Sequence, residues 1–417
     1  MFSSGNKESR FFYGYIMVAA VFFIMMISWG IFLSFGVFFE PVLDEFGWTR
    51  AATSAAYSIS IVLSGFLSIF CGKLTDTFGP RLVMTACGFF LGLGYWLMSN
   101  VNSVWQLYLF FGVIVAIGMS ATFVPANSIV ARWFFKKRGM MTGIVLSGNG
   151  VGTIIVPPLA RWMISSFGWR TAYTFIAVAA FMLIILAAQI LKREPADVGE
   201  LAYGLTEEKK DPLHVKVSDY SLGDAIHTWQ LWVLCIMSFC IWLCVGMIMV
   251  HIVIHATGQG ISSSGAITVL VIIGASSIAS KVIMGGIADR IGNKLAFIIS
   301  FIIMACSFLW LMTAQGNWMF IIFGIIFGFA YGALSPLMSP MIAEFFGIGS
   351  HGVILGFTFL LGEIGEAVGP VMAGRIFDLT NSYGVAFVLG AVISTIGFLL
   401  CIWLKPIDAK RLSATYP

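Results

Sequence analysis

Charge is what this sequence has least of. Lys, Arg, Asp and Glu together make up 10% of its 417 residues, whereas a soluble domain carries roughly 25% because its surface faces water. A surface this poor in charge excludes soluble globularity. Cysteine chemistry is missing as well: all seven cysteines lie inside apolar runs, with no C-x-x-C and no metal-ligand spacing, and they read as small apolar fillers. There is no Gly-Lys-Ser/Thr loop and no nucleotide-binding domain, so any work done by the chain is not ATP-driven. No Ser/His/Asp set or metal cluster points to an enzyme, and no cofactor is expected.

What the sequence has in abundance is apolar length. Hydrophobic residues make up 59% and the mean hydropathy is +0.97. Apolar runs fall at 12–39, 51–71, 82–100, 104–131, 140–164, 171–191, 228–256, 264–287, 295–313, 317–342, 352–376 and 384–404. A span takes about 20 apolar residues. In hydrocarbon every backbone polar group needs an internal partner, and the alternation of barrel strands is absent, so the runs must be helices. The fold class expected is an all-α membrane protein of twelve transmembrane helices in two six-helix bundles. The first run has no small-residue cleavage site after it, which makes it a first span and not a removed signal.

Lys and Arg set the orientation. With the N-terminus inside, the inner loops hold 18 of the 23 basic residues, from Lys7 and Arg10 through Arg132–Arg138 and Lys192–Lys216 to Lys410 and Arg411. The outer ends hold Arg50, Arg161, Arg170 and Arg375, and Lys281 lies inside a span. Both termini are therefore expected in the cytoplasm, with the chain multi-pass in an inner (plasma) membrane. The net charge of +4 is this topology signal, not a nucleic-acid footprint. One long polar stretch, 192–227, divides bundles at 1–191 and 228–417 and has the mixed charge of a cytoplasmic connector.

The halves repeat. Gly72-Lys-Leu-Thr-Asp76-Thr-Phe-Gly79-Pro-Arg81 follows span two, and Gly285-Gly-Ile-Ala-Asp289-Arg-Ile-Gly292-Asn-Lys294 follows span eight. The two stretches align without a gap, and the same constant offset pairs Gly143 with Gly356, Gly152 with Gly365 and Pro157 with Pro370. In these loops glycine permits a tight turn and close helix approach. The Asp can accept hydrogen bonds at the N-terminus of a neighbouring helix, where the macrodipole favours negative charge. Such a contact, broken and remade, would latch one conformation; the alternative is a basic turn that only sets topology. The glycine-rich spans five and eleven read as small-residue interfaces, kinked near the outer ends by Pro157 and Pro370.

The doubled G-x-x-x-D-x-x-G-x-R/K pattern resembles that of the major facilitator superfamily. Two further stretches are similar to its monocarboxylate porter and oxalate–formate antiporter branch. One is Ser34-Phe-Gly36-Val-Phe-Phe39 leading to Glu45-Phe-Gly-Trp-Thr-Arg50. The other is Arg132-Trp-Phe-Phe-Lys-Lys-Arg138-Gly139 opening into Gly143 and Ser147-Gly-Asn-Gly-Val-Gly152. The resemblance implies secondary transport by alternating access. It also implies that a basic residue in span eight holds a substrate carboxylate, an arginine in the branch and Lys281 here. Lysine is a point charge without the planar fork of arginine. Animal-type porters carry a span-one lysine and an Asp four residues before that base, where this chain has Leu33 and Ser277.

Ionisable groups inside spans are costly and so are functional candidates. Lys281 lies eight residues before Asp289, about 12 Å along the helix; it could contact substrate or counter-ion, or snorkel. Glu363 and Glu366, at i,i+3 in span eleven, share one helix face. Two carboxylates so close do not both ionise readily, which suits proton coupling, an ion pair with Lys281, or polar packing. His251, with His255 one turn on, Tyr331, Asn149, Trp29 and Ser28 are candidate cavity residues or interhelical packing. The expectation is a secondary transporter of a small organic anion, a monocarboxylate such as lactate or pyruvate. It would work by proton symport or anion exchange, as a monomer whose partners are the bilayer, the carboxylate and protons. The alternatives are a carrier of another organic solute or drug, with Glu363 and Glu366 as its contacts, and a transporter-derived sensor.

Overall fold

The structure, a computed structural model, describes residues 12–205 and 220–405. Lys7, Arg10, Lys209, Lys210, Lys216, Lys410 and Arg411 of the basic segments lie outside the described residues, as does the side chain of Arg50. Among the described residues, twelve helices are long and apolar enough to cross a membrane. In the first half they are α1 (Gly14–Phe39), α2 (Ala52–Phe78), α3 (Pro80–Met98), α4 (Val104–Trp133), α5 (Arg138–Phe167) and α6 (Trp169–Gln189). In the second half they are α7 (Trp229–Gly258), α8 (Ser264–Ile291), α9 (Asn293–Thr313), α10 (Asn317–Phe346), α11 (His351–Thr380) and α12 (Gly384–Trp403). Among the described residues there is no strand, only one isolated bridge between Phe134 and Tyr203.

Large apolar side chains such as Phe66, Leu82, Trp162 and Val371 point outward and stay exposed, as they must where lipid replaces water. Inward, the buried side chains gather into two cores. One is drawn from Met17 to Leu191, the other from Tyr220 to Leu404 together with Val124 of α4. The two halves meet along α2 with α11 and α5 with α8. Glycine makes these approaches possible: a Cβ on Gly72 would overlap the backbone of Gly352, and one on Gly285 the backbone of Gly139.

Helices α2 and α8 run further than their apolar runs predict. Gly72, Asp76, Gly285 and Asp289 are helical and not part of a turn. Nothing in Lys-Leu-Thr or Gly-Ile-Ala breaks a helix, so it continues until Gly79 and Gly292, where φ reaches +85° and +90°. Only those two glycines supply the turn; Gly72 and Gly285 serve close approach. Pro157 and Pro370 lie within α5 and α11 without ending them.

At the opposite end Gly47, at φ +65°, closes the helix Phe35–Phe46, and the Thr49 hydroxyl caps the next one at Ala52. Glu45 then reaches α6, accepting from Trp169 Nε1 at 2.6 Å and pairing with Arg170 at 2.8 Å. The connector is docked at both described ends. Tyr203 exchanges backbone hydrogen bonds with Trp133, Phe135 and Lys136, and the Tyr220 amide donates to the Phe346 carbonyl at 3.1 Å.

Candidate functional site

Lys281 is 2% exposed although it carries a charge. It is held in α8 where Gly143 of α5 has no side chain, so that the Lys281 backbone abuts α5 directly. Its ammonium crosses between the halves to donate to the Leu146 carbonyl at 3.3 Å and lies 5.9 Å from the centre of the Tyr331 ring in α10. Among the described residues the ion pairs are Asp76–Arg132, Arg132–Glu194, Arg170–Glu45 and Arg193–Glu194. None includes Lys281. A buried cation with a carbonyl and a ring face, but no carboxylate, is an unbalanced charge.

The side chain beside it is aromatic, and the acidic groups connect to it through Tyr331. Tyr331 meets the edge of Trp242 in α7, with ring centres 6.1 Å apart, and Trp242 fits against α11 where Gly362 leaves room. Glu363, the next residue, is buried and turns toward α2: a Cβ on Gly65 would come within 3.0 Å of its side chain. Glu366, half-buried, is within electrostatic reach of Tyr331 and of Tyr57 in α2. Tyr57 is itself fixed by stacking on Phe32 and Phe35 at 5.1 and 5.7 Å. Asn149 is half-buried one turn beyond Leu146, on the helix that receives Lys281. Leu146 and Tyr57 of the first half are thus linked, through Lys281 and Glu366, to Tyr331 of the second.

Other candidates are placed elsewhere. His251 is spent on packing: with a carbonyl as its only option at Pro370, Nε2–H donates there at 2.9 Å, and the Tyr383 hydroxyl donates to Nδ1 at 3.0 Å. That fixes the ring among α7, α11 and α12. His255 lies among Phe320, Tyr383 and Phe387. Ser28 is fully buried and turns to Cys87 of α3, inside the first bundle. Trp29 is half-buried, edge-on to Phe32, with its Nε1 buried and unpartnered. None of the contacts described for His251, Ser28 or Trp29 is with Lys281.

The repeat explains the division of labour. The first-half equivalents of Lys281, Glu363 and Glu366 are Ser68, Gly150 and Thr153. Gly356 packs on the Ser68 backbone as Gly143 packs on that of Lys281, and Gly150 meets Ile278 as Glu363 meets Gly65. The packing recurs in both halves, while the ionisable groups stand only in the second. Trp242 escaped notice in the sequence although the repeat reveals it, as the second-half equivalent of Trp29. Tyr57 carried no such signal.

At the end bearing the basic loops, hereafter the basic end, the repeated aspartates join the halves. Asp76 accepts from the amides of Gly352 and Val353, at 3.2 and 3.1 Å, at the start of α11. Asp289 accepts from Gly139 and Met140, at 2.8 and 2.9 Å, at the start of α5. Each contact is the other's image under the repeat, and each places a carboxylate on a helix N-terminus. The basic pair of the motif does other work: Arg81 binds Gln189 of α6, and Lys294 binds the carbonyls of Ile402 and Leu404 at the end of α12. Asp76 alone has a cationic partner, Arg132 at 3.1 Å.

Because of that partner, Asp76→Asn should slow transport more than Asp289→Asn. The first breaks a direct ion pair with the buried Arg132 guanidinium, whereas Asp289 has no cation within 4.0 Å among the described residues. Losses of about tenfold and severalfold, corresponding to roughly 1–2 kcal/mol for contacts of this kind, are expected in initial uptake rates. Equal losses would show that Arg132 contributes nothing to the contact.

Two bundles closed at one end over a buried cation define a membrane transporter, and comparison with known proteins names its family. The Major Facilitator Superfamily model matches residues 18–285 and 234–416, so the chain belongs to that superfamily, whose members are transporters and not enzymes. It is 26% identical over 407 residues to monocarboxylate transporter 13 of Rattus norvegicus, covering 94% of this chain and 91% of the relative. It is 30% identical over 232 residues to the oxalate:formate antiporter of Oxalobacter formigenes, covering 56% and 52%. The solved structure of a proton:xylose symporter of the superfamily superposes with a TM-score of 0.75 at 12% identity, over 97% of this chain and 99% of that one.

Proposed function

We propose that this protein is a secondary active transporter of a small organic anion, a monocarboxylate in the first instance, and that Lys281 is its anion contact. The observation that carries the reading is the Lys281 ammonium, buried between the halves with no carboxylate within 4.0 Å among the described residues. A substrate carboxylate would supply the missing charge, with the Tyr331 hydroxyl and the Asn149 amide as further donors and Trp242 as an apolar wall. The names of the relatives, carriers of monocarboxylates and of oxalate and formate, agree with that chemistry.

In this reading the bundles 1–191 and 228–417 rock about the site, joined by the connector 192–227. With the basic loops read as cytoplasmic by the positive-inside rule, both termini are proposed to lie there too, and on that reading the closed aspartate contacts correspond to an outward-facing state. Purified protein tests the anion contact without transport. A carboxylate at a hundred times its Kd stabilises the folded state by about 2.7 kcal/mol. Lactate or pyruvate should therefore raise the melting temperature of the wild type and leave Lys281→Ala unmoved. Equal stabilisation of both removes Lys281 from the site.

Glu363 and Glu366 are proposed to carry the coupled proton. Neither is ion-paired among the described residues, and Glu366 is within electrostatic range of Tyr57 and Tyr331, phenols of opposite halves. Glu363→Gln and Glu366→Gln should each reduce accumulation driven by a pH gradient at least tenfold and leave anion exchange within about threefold, since exchange needs no proton cycle. Loss of both activities together would assign the glutamates to substrate binding, as a carrier of cationic or neutral solutes would have it.

A further inference from the structure

His351 is fully buried at the first residue of α11, beside the Asp76 contact, and its two ring nitrogens face opposite halves of the molecule. Nε2 lies 3.0 Å from the Ser339 carbonyl of α10 and 3.3 Å from the Ser339 hydroxyl. Nδ1 lies 3.2 Å from the Ser128 hydroxyl of α4, across the junction. A carbonyl can only accept, so the proton belongs on Nε2, and Nδ1 is left to accept from Ser128. The neutral ring is satisfied at both ends.

A second ring proton has no such welcome. It would make Nδ1 a donor, oblige the Ser128 hydroxyl to turn round and accept, and place a positive charge on a ring with no exposure to water. The charged groups around the ring are Arg132 at the end of α4 and Arg138 at the start of α5, Asp76 at the end of α2, and Glu344 at the end of α10. Asp76 is engaged by Arg132 and two amides, and Glu344 accepts from Asn293 at 3.1 Å. Both arginines repel an imidazolium; the carboxylates near them, Asp76 and Glu194 on Arg132 and Asp289 and Glu344 beside Arg138, are engaged there, and none is ion-paired to His351 among the described residues. The first-half equivalent of His351 is Arg138, which turns away to cap the carbonyls of Ala131 and Phe134, so the arrangement occurs on one side of the junction only.

We propose that His351 is a positioning residue of the basic-end gate, whose neutral ring clasps Ser128 to Ser339 and whose protonation releases the two halves. Opening exposes the ring to water, where histidine titrates near pH 6.5. Acidification on the basic-end side therefore favours the state open to that side. Linkage to one proton raises the open-to-closed ratio by up to about tenfold for each pH unit.

Amide hydrogen exchange on the purified protein in nanodiscs tests this without any substrate. The amides of Gly139 and Met140 are protected by Asp289 only while the gate is closed, and neither they nor Asp289 bonds to His351. Corrected for the intrinsic pH dependence of exchange, their protection in the wild type should fall several-fold to tenfold per unit from pH 7 to pH 5.5. In His351→Gln it should be independent of pH. Ser128→Ala, which keeps the titrating ring and removes the hydroxyl donated to it, should move the response to higher pH. Protection that does not change with pH in the wild type overturns the proposal. So does a His351→Gln response equal to that of the wild type, or, if that variant does not fold, a Ser128→Ala response equal to it.

Discussion

Lys281→Ala is expected to lower transport of the substrate anion by ten- to a hundred-fold or more. A hydrogen bond to a charged group contributes about 1.5–3 kcal/mol, and each 1.4 kcal/mol is a factor of about ten. The ammonium is also the only basic group placed between the halves at this depth among the described residues, so no neighbour can take its place. The backbone contact of Lys281 with Gly143 does not involve the side chain, so the variant should still fold and close. Lys281→Arg separates charge from shape. It restores the cation and adds a planar two-pronged donor, and it should retain transport while tightening the preference for carboxylates. A Lys281→Ala protein with unchanged uptake would mean that the ammonium only packs against Leu146.

The second large effect is conformational. Gly143→Val should abolish transport without unfolding the bundle. The added Cβ would overlap the Lys281 backbone, and two helix backbones held by the rest of their bundles cannot yield as a flexible side chain can. Overpacking of this kind costs about 1–3 kcal/mol even where neighbours relax. The gate would be biased toward its open form by up to a hundredfold or more, and half of the cycle would be lost. Exchange at the Gly352 and Val353 amides, which Asp76 protects only while the basic end is closed, should rise in parallel. Gly356→Val, the image substitution against the Ser68 backbone, should do the same. Wild-type uptake by Gly143→Val would show that the tight α5–α8 approach is not needed for the cycle.

These expectations divide between what the sequence discloses and what only the structure supplies. The twelve spans follow from apolar length, and membrane family from the doubled aspartate pattern, because bilayer thickness and backbone satisfaction leave few choices. The inner faces are a different matter. A membrane helix is apolar all round, so periodicity does not say which side turns inward. Ser28 and Trp29 are neighbours in sequence, yet the structure turns Ser28 to Cys87 within its own bundle. His251 and Lys281 are both polar groups in spans, and only Lys281 crosses between halves. Asp76 and Asp289 were legible as a pair, but not their partners, since the amides they engage belong to helices far along the chain. His351 gave no sign at all; its meaning comes from Ser128 and Ser339 on two other helices.

The most direct test of the whole account is uptake of labelled lactate, pyruvate, formate and oxalate into proteoliposomes at two pH values, with wild type and Lys281→Ala side by side. The wild type should take up at least one of these anions saturably, and faster with the external medium acidified, and Lys281→Ala should lose that uptake. Transport of none of the four by a folded wild type, or equal transport by both proteins, would contradict that account.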